Sequence, residues 1–510
     1  MKSYKFGLAF ASVVVLLIAL AAGAAAAPSG GVVHEVYPTG HFPQDVQNVQ
    51  AAINNAHDGD TILLKAGTFN FGDWKTNPIP APSTIPEGVV LISKGVTVTG
   101  DGFDAYGNPR TIIQGGGYRQ KNHWENCEWG VVTFGGDASG GALENVWLKE
   151  PHFYAVFASG FCGQNHANIT IRKVKITDIS LDIPTWFTQA AIGRSIDMGA
   201  HLPEFGVGGP SGTLTIEGCD ISNIGSSVDL DYIDPDTGTL YYKGPDGNDL
   251  IDLNTQAIGL WINSATSYVV RNNKLATQTE GIVVEGVGGS GSTLITDNDI
   301  TVQPVALDRY VRCGFRLEPP YPGMVPTPYT RSVRFTNNRI HVMAGPETSV
   351  VSTDIPEEDV FLTTGILIGS DNGANAYSGQ VFVEGNQIEM QGGDAAMIFG
   401  LNRGPEWVSI LNGAVIRNNL IRGTARYGMI SVDGAQYCSI FGNNLATFEP
   451  SVAHIGFYTP ATHDNTVRGY SGVVDVADGA YNNQITGYTP MSPHAATPHV
   501  PALLRSIRSR

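Results

Sequence analysis

One short unit recurs along this chain: apolar-x-apolar-x, two turn residues, then x-apolar. Copies read ITIRKVKI (Ile169 to Ile176), LTIEGCDI (Leu214 to Ile221), YVVRNNKL (Tyr268 to Leu275), TLITDNDI (Thr293 to Ile300), VRFTNNRI (Val333 to Ile340), VFVEGNQI (Val381 to Ile388), AVIRNNLI (Ala414 to Ile421) and CSIFGNNL (Cys438 to Leu445). Degraded copies follow at DNTV (Asp464 to Val467) and AYNNQI (Ala480 to Ile485). The second turn position holds Asn273, Asn298, Asn338, Asn386, Asn419, Asn443, Asn465 and Asn483. Asparagine tolerates the left-handed conformation of a tight bend, and its amide can bond the backbone. Stacked at one register, such amides are expected to bond one another as a ladder.

A second motif, Gly-apolar-x-apolar, alternates with the first. It reads GLWIN from Gly259, GIVVE from Gly281, GFRLE from Gly314 and GILIG from Gly365, with looser copies from Ala396, Gly428, Gly456 and Gly472. GVVLI from Gly88, GVVTF from Gly130 and AVFAS from Ala155 read as upstream rungs. Two motifs in strict turn, repeating at roughly 20 to 35 residues or more, describe the coils of a β-solenoid carrying loops. A coil cannot bury its apolar face alone, so neighbours stack into one continuous core, and a single domain can reach this length. Only the segment DVQNVQAAINNAHDGDTI carries a strong helical spacing, through Val46, Val49, Ala52, Ile53 and Ala56, with a stop around His57-Asp58-Gly59. A helix at about residues 45–57 would cover the open end of the solenoid.

Bulk numbers agree. Of 510 residues 62 are glycine and only 15% are charged, which suits turn-rich β structure. The net charge of −17 makes nucleic acid and anionic membranes poor partners. MKSYK, then FGLAFASVVVLLIALAAG, then AAAAP form the charged, apolar and small-residue regions of a secretory signal peptide over residues 1–27. The mature chain is therefore expected to be secreted, periplasmic or on the cell surface, with no membrane span after cleavage. Among five cysteines, Cys127 and Cys162 are the pair open to a disulfide, while Cys219 and Cys438 read as buried packing.

VQAAINNAHDGDTILLKAGTF (Val49 to Phe69), GVTVTGDG (Gly95 to Gly102) and the Asn-turn coils from Ile169 to Ile485 resemble the pectate-lyase-like superfamily. That resemblance spans nearly the whole mature chain and implies an all-β, right-handed parallel β-helix with a short N-terminal capping helix. The expected layout is one domain over residues 28–488, with irregular coils at 60–160 and regular coils at 165–488, then a flexible tail at 489–510 that carries LLRSIRSR. The superfamily includes lyases, hydrolases, epimerases, esterases and adhesins, so the resemblance alone names no reaction. The Asn-Thr-Asp, Asp-Asp and Gly-His-Gly elements of polygalacturonase-like enzymes do not occur here, nor does the Arg-x-Pro-x-x-Arg element of pectate lyases or the Asp-Pro-His-Glu run of alginate epimerases.

Chemistry must then come from geometry. Parallel rungs stack ~4.8 Å apart, so equivalent positions form columns. With the motif's apolar residues inside, one outward column reads Trp261, Val283, Arg316, Leu367, Ile398, and the next reads Asn263, Glu285, Glu318, Gly369, Gly400. Glu285, Glu318 and Arg316 become catalytic candidates, joined by Arg312, with Trp261, Asn263 and Tyr310 as substrate-binding neighbours. Two stacked carboxylates beside an arginine suit a glycoside hydrolase. A polysaccharide lyase would use the arginines to neutralise a uronate and Tyr310 to take the α-proton. A solvated surface pair, worth ~0–1 kcal/mol, is the other reading of these charges.

Loops add two sets. In HWENCEWG, Trp124 and Trp129 stand among Glu125 and Glu128, where packing of the tryptophans is the leading reading and a carbohydrate wall the other. Asp234, Asp236 and Gly238 carry part of a calcium-loop pattern without its bidentate glutamate; a Tyr-rich β-hairpin is the preferred reading of Asp229 to Asp252, with Ca2+ the one candidate cofactor. The expected function is binding, and cleavage or modification, of a polysaccharide or cell-surface glycan. A non-catalytic adhesive or structural β-helix is the alternative.

Overall fold

A computed structural model describes residues 31–72, 87–117, 129–135, 138–151, 154–159, 168–180, 188–195, 212–226, 256–263, 267–285, 291–303, 312–318, 332–343, 363–369, 375–377, 380–402, 408–425, 428–448, 454–458, 460–469, 472–477, 479–486 and 489–490. Nearly every strand joins one of three parallel sheets of 14, 13 and 11 strands, and each sheet takes its strands in chain order. A coil places one strand in each sheet in turn: Ser267–Arg271 in the 14-stranded, Lys274–Thr277 in the 11-stranded, Glu280–Glu285 in the 13-stranded. This is the parallel β-helix, with the right-handed sense that parallel crossovers take. Within 60–160, where irregular coils are expected, the described strands stack in the same three sheets, with Val90–Ile92, Val132–Phe134 and Tyr154–Ser159 as successive rungs of the 13-stranded one.

The asparagine ladder forms. Each amide of Asn273, Asn298, Asn338, Asn386 and Asn419 donates to the Oδ1 of the next member at 2.9–3.1 Å, ending on Asn443. Asn338 uses every bond it can make. Its Oδ1 accepts from the backbone N–H and the amide of Asn298, and its amide donates to Ile295 O and Asn386 Oδ1. Two expectations need correction. The left-handed residue is the one before the ladder position: Asn272, Asp297, Asn337, Gly385, Asn418 and Gly442 all have φ of 56–67°. The eight asparagines also do not share one register. Asn465 and Asn483 stand at the entry to the 14-stranded sheet, where they form a second ladder of their own.

Each ladder begins on a cysteine. Cys219 N–H donates to Asn273 Oδ1, and Cys438 N–H donates to Asn465 Oδ1. Both cysteines are buried and free, as expected of packing residues, and burial pushes each thiol up to about 12. Cys127 and Cys162 lie outside the described residues.

The core fills the space between the sheets, with Leu260, Ile262, Ile282, Val284, Phe315, Leu317, Ile366 and Ile368 from the 13-stranded sheet. Phe315 stacks on Phe335 at 4.2 Å between centroids. The glycine that opens the second motif sits where this sheet bends hard against the 11-stranded one. A Cβ on Gly281 would strike Ile300, and one on Gly314 would strike Ile340.

The expected helix spans Gln44–Asn55 and buries Val46, Val49 and Ile53 against the first coils. Asp45, fully buried at its start, accepts from Thr39 N–H, Thr39 Oγ1, Gly40 N–H and Asn70 N–H and so ties the entering chain to the first coil. Among the described residues no helix is long and apolar enough to cross a membrane.

Candidate functional site

The outward columns pair as the sequence predicts. Trp261, Val283, Arg316, Leu367 and Ile398 are successive Cα partners across five parallel strands. Asn263, Glu285 and Glu318 are partners in the next column. Strand alternation places Phe315 and Leu317 in the solenoid core, so Arg316 stands on the opposite face.

That face is not the open, solvated surface the sequence suggests. Val283, Leu367 and Ile398 are buried there, and so is Arg316, with only 2% of its surface exposed. Val283 belongs to a separate apolar cluster with Tyr154, Phe157 and Ile258, on which Trp261 packs. Leu367 and Ile398 join another with Cys313 and Ala395. Trp261 lies nearly parallel to Tyr154, 6.4 Å between centroids, and its Nε1 is buried without a hydrogen-bond partner.

Arg316 is paired, but with a residue the sequence did not single out. Its Nη1 donates to Glu280 Oε1 at 2.9 Å, across the adjacent strand. Glu280 is fully buried, and Cys313 Sγ lies 3.6 Å from the same carboxylate oxygen. Arg312, at the start of the Arg316 strand, is buried as well. Glu280 escaped notice because it precedes the motif glycine and so falls outside the template. Its column reads Ile258, Glu280, Cys313, Thr364, Ala395, and one charge among neutral neighbours was the available signal.

Cross-coil pairs elsewhere differ in kind. Arg172–Glu144, Arg271–Glu217 and Arg417–Glu384 stand on the outer face of the 14-stranded sheet, with the arginine side chains 42–47% exposed. Exposed pairs of that type contribute little. Arg316–Glu280 is the buried one among the described Arg–Glu pairs.

Of the other candidates, Glu285, Glu318 and Asn263 are placed by their backbones, and their side chains lie outside what is described. Tyr310, Trp124, Asp234 and Asp236 lie outside the described residues altogether. Trp129 is buried, which fits packing rather than an exposed carbohydrate wall. Among the described residues no group of three or more His, Cys, Asp or Glu is placed to hold a metal ion.

Further along, polar groups return to the same face. Ser431, Gly456 and Asp475 continue the Arg316 column, and Asp433 and Tyr458 follow the paired residues Val432 and Phe457. The Tyr458 ring lies over Gly456, where a Cβ would strike its hydroxyl. Burial, then the charges of Asp475 and Asp433, push the Tyr458 phenol up, and burial also raises Asp475. The looser repeats from Gly428, Gly456 and Gly472 hid this stretch, because their glycines leave the motif's register: Gly428 pairs with Ala395, one residue before the motif position, and Gly456 itself stands in the Arg316 column.

No family model matches this chain, and no curated protein matches it. Solved structures with a similar course include the A-module of the mannuronan C-5 epimerase AlgE6 from Azotobacter vinelandii, at 12% identity over 88% of this chain and 95% of that one, TM-score 0.35. The Streptococcus pneumoniae surface adhesin PfbA matches at 10% identity over 91% and 92%, TM-score 0.42. A PL6 family polysaccharide lyase from Pseudopedobacter saltans matches at 10% identity over 91% and 94%, TM-score 0.38. The parallel β-helix itself is established by this chain's own strand pairing.

Proposed function

We propose that this chain is an exported β-helix protein that binds a polysaccharide on the outer face of its 13-stranded sheet and cleaves or modifies it there, as a polysaccharide lyase or glycoside hydrolase. The observation that carries this reading is the buried Arg316–Glu280 pair outside the solenoid core. Removing two ions from water costs several kcal/mol per ion, and apolar groups of similar volume are often as stable in their place. Neighbouring coils do put Val283, Leu367 and Ile398 in the Arg316 column, so the fold accepts apolar side chains there. A charge pair kept at such a position is a functional-site candidate.

Roles follow from the chemistry of each group. Glu280 fixes the guanidinium plane of Arg316. Arg316 and Arg312, both buried beneath this face, raise the potential at which a uronate carboxylate would be held, and Tyr310 takes the α-proton in a lyase. Glu285 and Glu318 occupy partnered positions on adjacent rungs. Rung spacing of ~4.8 Å is close to the ~5–5.5 Å carboxyl separation of a retaining hydrolase. Trp261 offers a ring face and a buried indole N–H. Export follows from the signal-peptide pattern of residues 1–27.

A panel of soluble polysaccharides, assayed for new reducing ends and for unsaturated products, tests the reading. Turnover of one glycan, lost in Arg316→Leu and in Glu318→Gln, is the expected result. Retention of a glycan without cleavage would move the protein to the adhesive alternative. Turnover unchanged in Glu285→Gln, Glu318→Gln and Arg316→Leu alike would remove the site.

A further inference from the structure

The first asparagine ladder stops before the solenoid does. In each earlier member the backbone N–H donates to the Oδ1 of the next at 2.9–3.0 Å, and the side-chain amide donates to that same oxygen. Asn443 is the last member. Its amide keeps a bond to Ile416 O, but its N–H and its second amide hydrogen find no acceptor among the described residues. The cause is the early end of the 11-stranded sheet. Asn444–Phe448 is its final strand, while the other two sheets continue through Thr466–Arg468 and Val473–Val476.

A cleft opens beside Asn443 where that third wall ends. Its apolar lining is buried core: Ile440 and Val467 from the 14-stranded sheet, Leu445 from the 11-stranded and Ile455 from the 13-stranded. Arg468 lines the same cleft and is exposed. With its open mouth counted, the space is about 180 Å³, enough for a small acid group on a short chain.

Arg468 is a second, independent observation. In the same outer column of the 14-stranded sheet, Arg172, Arg271 and Arg417 each pair with the glutamate one coil before. The residue one coil before Arg468 is Phe441. Among the described residues, Arg468 therefore lacks the carboxylate that its equivalents hold. Asn483 also ends a ladder, but it stands on the last coil of the 14-stranded sheet, with no later strand of that sheet above it. A ladder end is thus not a site by itself; the cleft and the arginine make this one different.

We propose that this cleft binds a monocarboxylate carried on a short apolar chain. One carboxylate oxygen takes the place that the next Oδ1 holds in every earlier coil, accepting from the N–H and the amide of Asn443. The other accepts from the Arg468 guanidinium in a charge-assisted bond. The carbon chain lies against Leu445, Ile455 and Val467, as in a mostly apolar pocket with a few convergent polar groups. The ladder calls for an acceptor oxygen and the arginine for an anion, and a carboxylate meets both. The apolar lining selects against a uronate, whose ring hydroxyls would lose their water there without gaining partners. The cleft lies at the corner between the 14- and 11-stranded sheets, so it does not depend on any reaction at Arg316.

Isothermal titration of the full chain with hexanoate tests it. Hexanoate should bind saturably. Hexanamide keeps the carbonyl and loses the charge, and it should bind about tenfold more weakly. Arg468→Gln should weaken hexanoate by a similar factor and leave hexanamide unchanged. Because Arg468 is exposed and carries no ion pair, Arg468→Gln should melt with the wild type, which separates loss of the site from loss of the fold. The inference is overturned if hexanoate gives no saturable binding, if hexanamide or galacturonate binds as tightly, or if Arg468→Gln binds hexanoate as the wild type does.

Discussion

Arg316 Nη1 lies 2.9 Å from Glu280 Oε1, and both side chains are buried on the side of the 13-stranded sheet turned away from the solenoid core. The two residues come from adjacent coils, so the pair bridges two rungs of the stack.

Breaking that pair on one side should be costly and replacing it on both sides should not. Glu280→Leu alone removes the buried carboxylate to which Arg316 Nη1 donates and is expected to destabilise by about 3–5 kcal/mol. Glu280→Leu with Arg316→Leu should recover most of that loss while abolishing turnover. Urea unfolding of the two singles and the double measures the coupling. A double variant as unstable as the singles would mean that the pair holds the fold rather than serving chemistry.

The ladder offers a second measurement. Asn338→Ala removes four hydrogen bonds, takes the acceptor from the buried backbone N–H of Asn298 and leaves the Asn298 amide with Val270 O. A loss of about 2–4 kcal/mol is expected, since each buried group left unsatisfied costs ~1–3 kcal/mol. Asn337→Gly, one residue earlier, keeps the positive φ and should be nearly neutral. Equal losses at the two positions would contradict the division of labour between them.

Acid should loosen the helix-capped end first. Asp60 accepts from the backbone N–H groups of His57 and Val32 and bonds His34, and these contacts hold its carboxyl down to about 2. A depressed carboxyl stabilises the fold above its ordinary value near 3.8, and that contribution is lost as pH falls through about 2. Asp60→Asn should therefore be the less stable protein at pH 6, with the difference closing as pH is lowered from about 4 to 2. Thermal melts of both proteins across that range check the sign.

Thiol chemistry tests the burial of the cysteines. With their thiols pushed up to about 12, Cys219 and Cys438 should resist alkylation in the native state and react only on unfolding. Peptide mapping after iodoacetamide treatment at increasing urea would show this. Rapid native labelling at either position would place it at an open surface.

Much of the fold was legible because two independent repeats, one built on asparagine and one on glycine, set the same period. Parallel pairing then converted spacing into columns, which is why Trp261, Val283 and Arg316 were aligned correctly. Burial on the outer face was not legible, because alternation reports only which side of a strand a residue takes. Glu280 was missed because the path from Thr277 in the 11-stranded sheet to Glu280 in the 13-stranded one is abrupt, and the glycine template starts after it. Asn465 and Asn483 were misassigned because both corners use the same chemistry, a left-handed residue followed by an amide. Local sequence cannot tell one corner from the other.

The members of the first ladder are separated by 25, 40, 48, 33 and 24 residues, yet each amide meets the next at the same short distance. The ladder thus behaves as a turnstile that counts passes and ignores contour length. A loop between two rungs can be enlarged, trimmed or exchanged without moving any other coil. The segments between rungs are therefore free to diverge in sequence and length while the scaffold stays in step.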